Sequence, residues 1–183
     1  MPRTPGQRAG LSHEAVLTAA KRVFAERGLP GLSMRSVAGE LGVAPNALYS
    51  HVADKDALVD ALLDDLLGAL DPPPPDAEPV AGLREVMLAT FDLLARHADL
   101  VPLYLARQGA RGPQARALGA AMTVLLARLG VDDAAAGRVV RALIVSTLGY
   151  AALATADDAN LNPPELRADL EVTLDWIVRG ATA

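Results

Sequence analysis

Apolar residues recur every three or four positions along most of the chain, which is the spacing of one face of an α-helix. In the first half of the sequence this pattern predicts four helices, because residues that favour helix ends stand on either side of each apolar run. The residues that begin or end these helices are Ser12, Gly28, Ser33, Gly42, Pro45 and Asp54. The fourth helix repeats leucine at helical spacing, at Leu58, Leu62 and Leu66.

The second half of the chain predicts a further series of helices. A short segment over 99–108, a helix over 113–129 and a long helix from an acidic cap at 132 or 133 to about 156 follow one another. The long helix is apolar over nearly its whole circumference, so we expect it to be buried on several sides. The apolar faces of the helices before and after these segments are formed by Leu83, Val86, Met87, Thr90, Phe91 and Leu94, and by Leu166, Leu170, Leu174 and Ile177.

Composition favours an all-α fold. Alanine and leucine are the commonest residues and aromatic residues make up 3%, so there is little material for strands. The stretch 71–79, DPPPPDAEP, interrupts the helices, because successive prolines fix φ and favour a stiff polyproline II connector. We take this stretch as the boundary between two domains.

The most informative motif for function lies at 34–51, MRSVAGELGVAPNALYSH. It predicts two short helices around a tight turn, with Val37, Leu41 and Leu48 placed to pack these helices against each other. This is the layout of a helix-turn-helix, whose second helix enters the major groove of DNA while the first crosses the backbone.

The longer segment GLSMRSVAGELGVAPNALYSHVADKDAL resembles the DNA-binding domains of the tetracycline-repressor (TetR) family of bacterial transcriptional regulators. The resemblance covers residues 12 to about 67, and beyond them only the helix layout is similar. It implies an all-α protein with an N-terminal three-helix helix-turn-helix DNA-binding domain and a C-terminal helical ligand-binding and dimerisation domain. The divisions that we expect are a flexible arm over 1–11, the DNA-binding domain over 12–52, a connecting helix over 53–70, a proline-rich linker over 71–79 and the ligand-binding and dimerisation domain over 80–183.

The resemblance also implies which residues read the bases. The family's recognition helix falls on 45–51, which Pro45 opens. There Asn46 is able to pair an adenine, and Ala47 is able to touch a thymine methyl group. Arg35, near the start of the second helix, matches a position that can reach a guanine.

Four further residues match positions that hold the DNA backbone. Tyr49, His51 and Lys55 are expected to bind phosphate, and Ser33 is expected to serve both as a helix cap and as a phosphate donor. Each assignment has a structural alternative: Tyr49 is also suited to a core that packs the three helices, and His51 to a helix C-terminus. Arg35 and Asn46 are equally consistent with ordinary solvated positions.

The net charge of -5 argues against a nucleic-acid partner until it is divided along the chain. The first 52 residues hold six basic and three acidic side chains, whereas the remainder holds eleven basic and nineteen acidic ones. The predicted reading domain is therefore basic, with a net charge of +3. Only this part bears on contact with phosphate, so the interpretation as a DNA-binding protein stands.

The second half is expected to dimerise and to bind a small ligand, as the family resemblance implies. We assign the dimer face to the helix 138–156 and to the last helix with Trp176, which would form a four-helix bundle with their mates; the alternative is a purely intramolecular core. A small-molecule site needs apolar walls and a few polar groups. The candidate walls are Phe91, Leu94, Leu103 and Met122, and the candidate polar groups are Thr90, His97, Tyr104, Arg107, Thr123, Arg141, Ser146, Thr147 and Tyr150.

Little in the sequence favours an enzyme. There is no cysteine, the three histidines have no metal-ligand spacing, and Asp64 and Asp65 point apart on a helix, which is typical of solvated charge. We therefore expect no metal and no cofactor. We also expect no membrane partner, because the longest uncharged run, 142–156, is shorter than a membrane span. The first ten residues lack the apolar run of a secretory signal. The sequence thus predicts a cytoplasmic, homodimeric, ligand-responsive repressor that binds double-stranded operator DNA. The alternatives are a helical module that binds small molecules or proteins without DNA, and a helical enzyme.

Overall fold

The structure is a computed structural model that describes residues 11–156 and 162–182. Within these residues every regular element is a helix, which confirms the all-α fold. The expected arm over 1–11 lies outside the described residues, apart from its last position. The α-helices are α1 (His13–Gly31), α2 (Met34–Leu41), α3 (Lys55–Leu67), α4 (Pro79–Arg96), α5 (Val101–Arg107), α6 (Pro113–Arg128), α7 (Asp133–Ala154) and α8 (Pro163–Thr182), and two short 3₁₀ helices span Pro45–Ser50 and Ala98–Leu100.

Most helix ends of the first half are where the sequence predicts them, but α1 continues past the expected end at Gly28 to Gly31. The side chain of Ser12 accepts a hydrogen bond from the main-chain nitrogen of Ala15, and Gly28 interrupts α1 with a left-handed φ of 61°. Ser33 and Ser36 cap α2 reciprocally, and Gly42 ends that helix with a left-handed φ of 65°. These caps satisfy main-chain groups that a helix end leaves free, which fixes where each helix starts and stops.

The third predicted helix differs in type from an α-helix. Main-chain hydrogen bonds from Ala47 to Ala44 and from His51 to Leu48, both 2.9 Å long, span three residues, so Pro45–Ser50 is a 3₁₀ helix. Its apolar anchor, Leu48, is fully buried. The prediction of an element at this place is confirmed, and its geometry is tighter than expected.

The chain divides into two compact units between Leu62 and Leu63, inside α3. This differs from a boundary at 71–79, because the proline-rich stretch lies wholly within the C-terminal unit. There the guanidinium of Arg128, at the end of α6, donates hydrogen bonds of 2.7 and 2.5 Å to the main-chain oxygens of Pro75 and Ala77. The stretch is non-helical, as its prolines require, but it is a loop held on α6.

In the C-terminal unit, α7 packs against α4, α5, α6 and α8. It is the one helix of the described residues that is long and apolar enough to cross a membrane, but core helices of globular domains share that composition. Contrary to the expectation of burial on several sides, α7 buries one face, which includes Val139, Leu143 and Ala151, and exposes Val145 and Leu153. The prediction was wrong for the single chain, because no helix among the described residues of the C-terminal unit covers the side with Val145 and Leu153.

Candidate DNA-binding and ligand-binding sites

The Pro45–Ser50 helix presents its predicted DNA contacts on the surface of the N-terminal unit. Leu48 turns inward, whereas Pro45 and Asn46 are exposed and Ala47 is half-buried. Tyr49 is 55% exposed, so it is not the core aromatic that the structural alternative required. A tyrosine left in solvent beside an exposed asparagine suits contact with another molecule.

The start of α2 places two further candidates. Arg35 is exposed on the first turn. The hydroxyl of Ser33 accepts from the main-chain nitrogen of Ser36 at 3.1 Å, which confirms its role as a helix cap. Its contact with phosphate remains a prediction, as does every other DNA contact named above.

The last two candidates lie at the beginning of α3. Lys55 is exposed and its ammonium donates to the main-chain oxygen of Leu29 at 3.3 Å. His51 is half-buried, and its main-chain oxygen lies 3.2 Å from Nδ1 of His13. Asp54 caps the helix through a 2.8 Å hydrogen bond from the main-chain nitrogen of Ala57, as its position in the sequence predicts.

The C-terminal unit contains a cavity of about 130 Å³ between α4, α5, α6 and α7. Its wall is mainly apolar, with a few hydroxyl and amide groups, which is the usual composition of a small-molecule site. The lining residues are Leu67, Met87, Thr90, Leu94, Tyr104, Gln108, Gly109, Ala110, Ala115, Leu118, Met122, Ile144, Thr147 and Leu148.

The cavity brings together part of the predicted ligand-binding set. Thr90, Leu94, Tyr104, Met122 and Thr147 line it. The residues predicted from the sequence that lie away from its wall are Phe91, His97, Leu103, Arg107, Thr123, Arg141, Ser146 and Tyr150. The candidate set missed several apolar residues, such as Leu118 on α6, which lie on the buried faces of their helices. The signal for them in the sequence is the recurrence of apolar residues every three or four positions.

The predicted residues that do not line the cavity have other surroundings. Phe91 and Leu103 are buried in the core, and His97 is exposed where α4 ends. The hydroxyl of Tyr150 lies 3.0 Å from that of Thr173 on α8. Arg141 lines a wider depression of about 820 Å³, which adjoins the cavity and shares part of its wall.

Asp64 overturns the interpretation of the Asp64–Asp65 pair as solvated charge. Its side chain is buried, and its carboxylate accepts hydrogen bonds from the main-chain nitrogens of Gln114 at 3.1 Å and Ala115 at 2.9 Å. It therefore caps the start of α6, where main-chain N–H groups are free and favour a negative charge. The partners lie about fifty positions away in the sequence, so local spacing gave no signal of this contact.

Tyr104 links the cavity wall to α3. Its hydroxyl donates a hydrogen bond to the main-chain oxygen of Leu63. Burial raises the pKa of this phenol well above its usual value, and the negative charge of Asp64 raises the pKa further. The phenol is therefore neutral at physiological pH, and it serves as a donor to α3.

Within residues 11–156 and 162–182, no three histidine, cysteine, aspartate or glutamate side chains are grouped so that they could hold a metal ion. The cavity wall likewise carries no carboxylate or imidazole.

Comparisons with known proteins bear on both sites. The family described as "Bacterial regulatory proteins, tetR family" matches residues 16–62, which covers the Pro45–Ser50 helix. The HTH-type transcriptional repressor KstR2 of Mycobacterium tuberculosis is 33% identical over 109 residues, which are 57% of this chain and 54% of KstR2. The chain thus spans about half the length of this curated relative.

Solved structures match over nearly the whole chain. BioQ with its double-stranded DNA operator is 25% identical, with a TM-score of 0.70 over 92% of this chain and 99% of BioQ. A TetR variant from Acinetobacter baumannii in complex with minocycline is 25% identical, with a TM-score of 0.75 over 93% of this chain and 96% of that protein. Both units of the chain therefore have counterparts in solved structures of regulators.

Proposed function

We propose that this chain is a member of the tetR family of bacterial regulatory proteins and a homodimeric transcriptional repressor that a small molecule releases from operator DNA. The relatives support repression, DNA binding and ligand binding: KstR2 is a repressor, BioQ is described with its operator and the TetR variant with minocycline. In this proposal residues 12–52 bind DNA, and the cavity of the C-terminal unit binds the effector. We further propose that the protein acts in the cytoplasm and has no enzymatic activity.

The observation that carries the proposal is the exposure of Asn46 and Tyr49 on a helix that Leu48 anchors. An internal hairpin that only packed the unit would turn its aromatic residue inward. Here the asparagine amide is available to pair an adenine and the tyrosine hydroxyl is available to a phosphate. The basic balance of the first 52 residues favours the same partner.

Exposed apolar residues support a homodimer. Val145 on α7 is 61% exposed and Trp176 on α8 is 68% exposed, and Leu153 and Val172 on the same two helices are exposed as well. Large apolar side chains on adjacent helices mark a surface that another protein covers. Because operators of this type have two-fold symmetry, a second copy of the chain is the partner that also supplies a second reading unit, about 34–36 Å from the first.

Ligand control then follows from the course of α3. This helix begins in the unit that carries the DNA contacts and ends in the unit that carries the cavity, where Leu63 and Asp64 are bonded to Tyr104 and to the start of α6. A ligand that binds more tightly to one arrangement of these contacts shifts the dimer towards that arrangement. Release requires that the favoured arrangement no longer fit successive major grooves.

Selection of duplexes from a random pool by the purified full-length protein tests the proposal. We expect enrichment of an inverted repeat, bound by two chains per duplex in sedimentation experiments. Failure to enrich any sequence, with uniform weak binding at low salt only, would favour the alternative of a helical binding module without DNA recognition.

A further inference from the structure

We propose that the effector cavity takes an uncharged, mainly apolar molecule, about the size of one aromatic ring in its buried part, which carries a hydrogen-bond donor. This inference rests on the proposed function, because it assumes that the cavity between α4, α5, α6 and α7 is the effector site. It goes further by naming the chemical class of the ligand.

The size of the buried part follows from the cavity volume of about 130 Å³. A cavity of roughly 150 Å³ lined by leucine, isoleucine and phenylalanine binds benzene. A single ring, or an aliphatic group of the same volume, therefore fills this cavity without displacing its wall.

The absence of charge follows from the wall itself. None of the lining side chains is acidic or basic. Arg111 and Arg141 line only the adjoining, wider depression of about 820 Å³, which meets the cavity at shared wall residues such as Ile144. A carboxylate or an ammonium group buried within the cavity, away from that depression, would lose its hydration without gaining an opposite charge, which is strongly unfavourable.

Asp64 adds a penalty for anions in particular. Its buried charge already disfavours the ionised form of Tyr104, which forms part of the wall, after the larger effect of burial itself. The carboxylate also accepts a hydrogen bond from the main-chain nitrogen of Ala115, which lines the cavity, so a bound carboxylate would lie close to a second negative charge. A neutral ligand avoids this repulsion.

The need for a donor follows from the bonds that the wall hydroxyls already make. Thr90 donates to the main-chain oxygen of Val86 at 2.7 Å, Thr147 donates to that of Leu143 at 2.9 Å, and Tyr104 donates to Leu63. A hydroxyl has one proton to donate and two lone pairs that accept. With the proton engaged, each of these three hydroxyls offers a ligand only an acceptor, whereas the amide of Gln108, which also lines the cavity, can both donate and accept.

Phenol, toluene and benzoate are matched probes for this proposal, because they share one ring and differ in donor and charge. Titration calorimetry of the full-length protein should show phenol binding about threefold to tenfold more tightly than toluene, which corresponds to one net hydrogen bond. Benzoate should not bind. Binding of benzoate as tight as that of phenol, equal affinity for phenol and toluene, or no binding of phenol would each overturn the proposal.

Two threonine substitutions locate the acceptors. The double variant Thr90→Val/Thr147→Val should lower the phenol-to-toluene ratio, because Tyr104 is then the one acceptor left of the three wall hydroxyls. Thr123→Val is the matched control, because its hydroxyl makes the same kind of bond, 2.9 Å to the main-chain oxygen of Gly119, but does not line the cavity. A wild-type ratio in the double variant would refute the assignment of these acceptors.

Binding of the unliganded protein to the selected duplex is measured in the same samples. Loss of the predicted probe preference with intact DNA binding refutes the ligand class alone. Absence of DNA binding refutes the proposed function itself.

Discussion

Gly112 lies directly against the carboxylate of Asp64. A Cβ atom at Gly112 would lie 2.2 Å from Cγ of Asp64, which is closer than any real contact of this kind. The missing side chain lets the carboxylate reach the main-chain nitrogens of Gln114 and Ala115 at the start of α6. The contact joins the second half of α3 to α6, so the position of one helix depends on that of the other.

Gly112→Ala should destabilise the protein, because the new methyl group displaces the carboxylate from its two donors. We expect a loss of about 1–3 kcal/mol in the free energy of unfolding, as when hydrogen bonds to a buried charged group are broken. Chemical denaturation measures this change. Gly119→Ala, where a Cβ meets nothing within 4 Å, is the control and should be neutral or stabilising by roughly 0.5–1 kcal/mol. Equal effects of the two substitutions would contradict the role of Gly112.

The buried phenol of Tyr104 should make the protein sensitive to alkaline pH. The folded state raises the pKa of Tyr104, so its contribution to stability is complete below about pH 10, the ordinary tyrosine pKa, and is lost as the pH rises further. A single proton gives a slope of up to about 1.4 kcal/mol per pH unit. Tyr104→Phe should remove this slope in denaturation experiments above pH 10, whereas Tyr49→Phe, at an exposed position, should leave it unchanged. An identical slope in Tyr104→Phe would show that the loss of stability comes from other groups.

The elements of this fold could be predicted because their ends depend on neighbours in the sequence. Ser12, Ser33 and Asp132 each cap a helix through a main-chain nitrogen three residues further on, and Gly42 occupies the left-handed position that ends α2. The Pro45–Ser50 helix was located correctly for the same reason. Its 3₁₀ geometry was not foreseen, because apolar spacing and helix-end residues in so short a segment do not distinguish the two helix types.

Contacts between distant parts of the chain could not be predicted in this way. Asp64 has the local surroundings of a solvated aspartate, and its burial depends on α6 arriving beside it. The proline-rich stretch indicated a linker by composition, but Arg128 fixes it to the C-terminal unit. The residues that line the cavity were only partly foreseen. A polar side chain within an apolar helix can equally form a hydrogen bond to a neighbouring helix, as the hydroxyl of Tyr150 does with that of Thr173.

Disruption of the exposed α7–α8 face should separate the dimer. Val145→Glu places a charge where the proposed interface excludes water, twice per dimer, so we expect the dissociation constant to rise about tenfold or more. Val124→Glu is the matched control, since Val124 is also exposed but lies on α6. Sedimentation velocity over a range of concentrations measures both variants. A monomeric wild-type protein, or dimers of equal affinity in the two variants, would contradict the assigned interface.

The role of the Pro45–Ser50 helix is tested most directly by the binding of Asn46→Ala and Lys55→Ala to the selected duplex and its single-base variants. Fluorescence anisotropy at several salt concentrations gives both affinity and salt dependence. We expect Asn46→Ala to lose about 1–3 kcal/mol and its base preference at one position of each half-site. Lys55→Ala should weaken binding to all sequences alike and reduce the salt dependence. An equal loss for every duplex in both variants would contradict sequence reading by this helix.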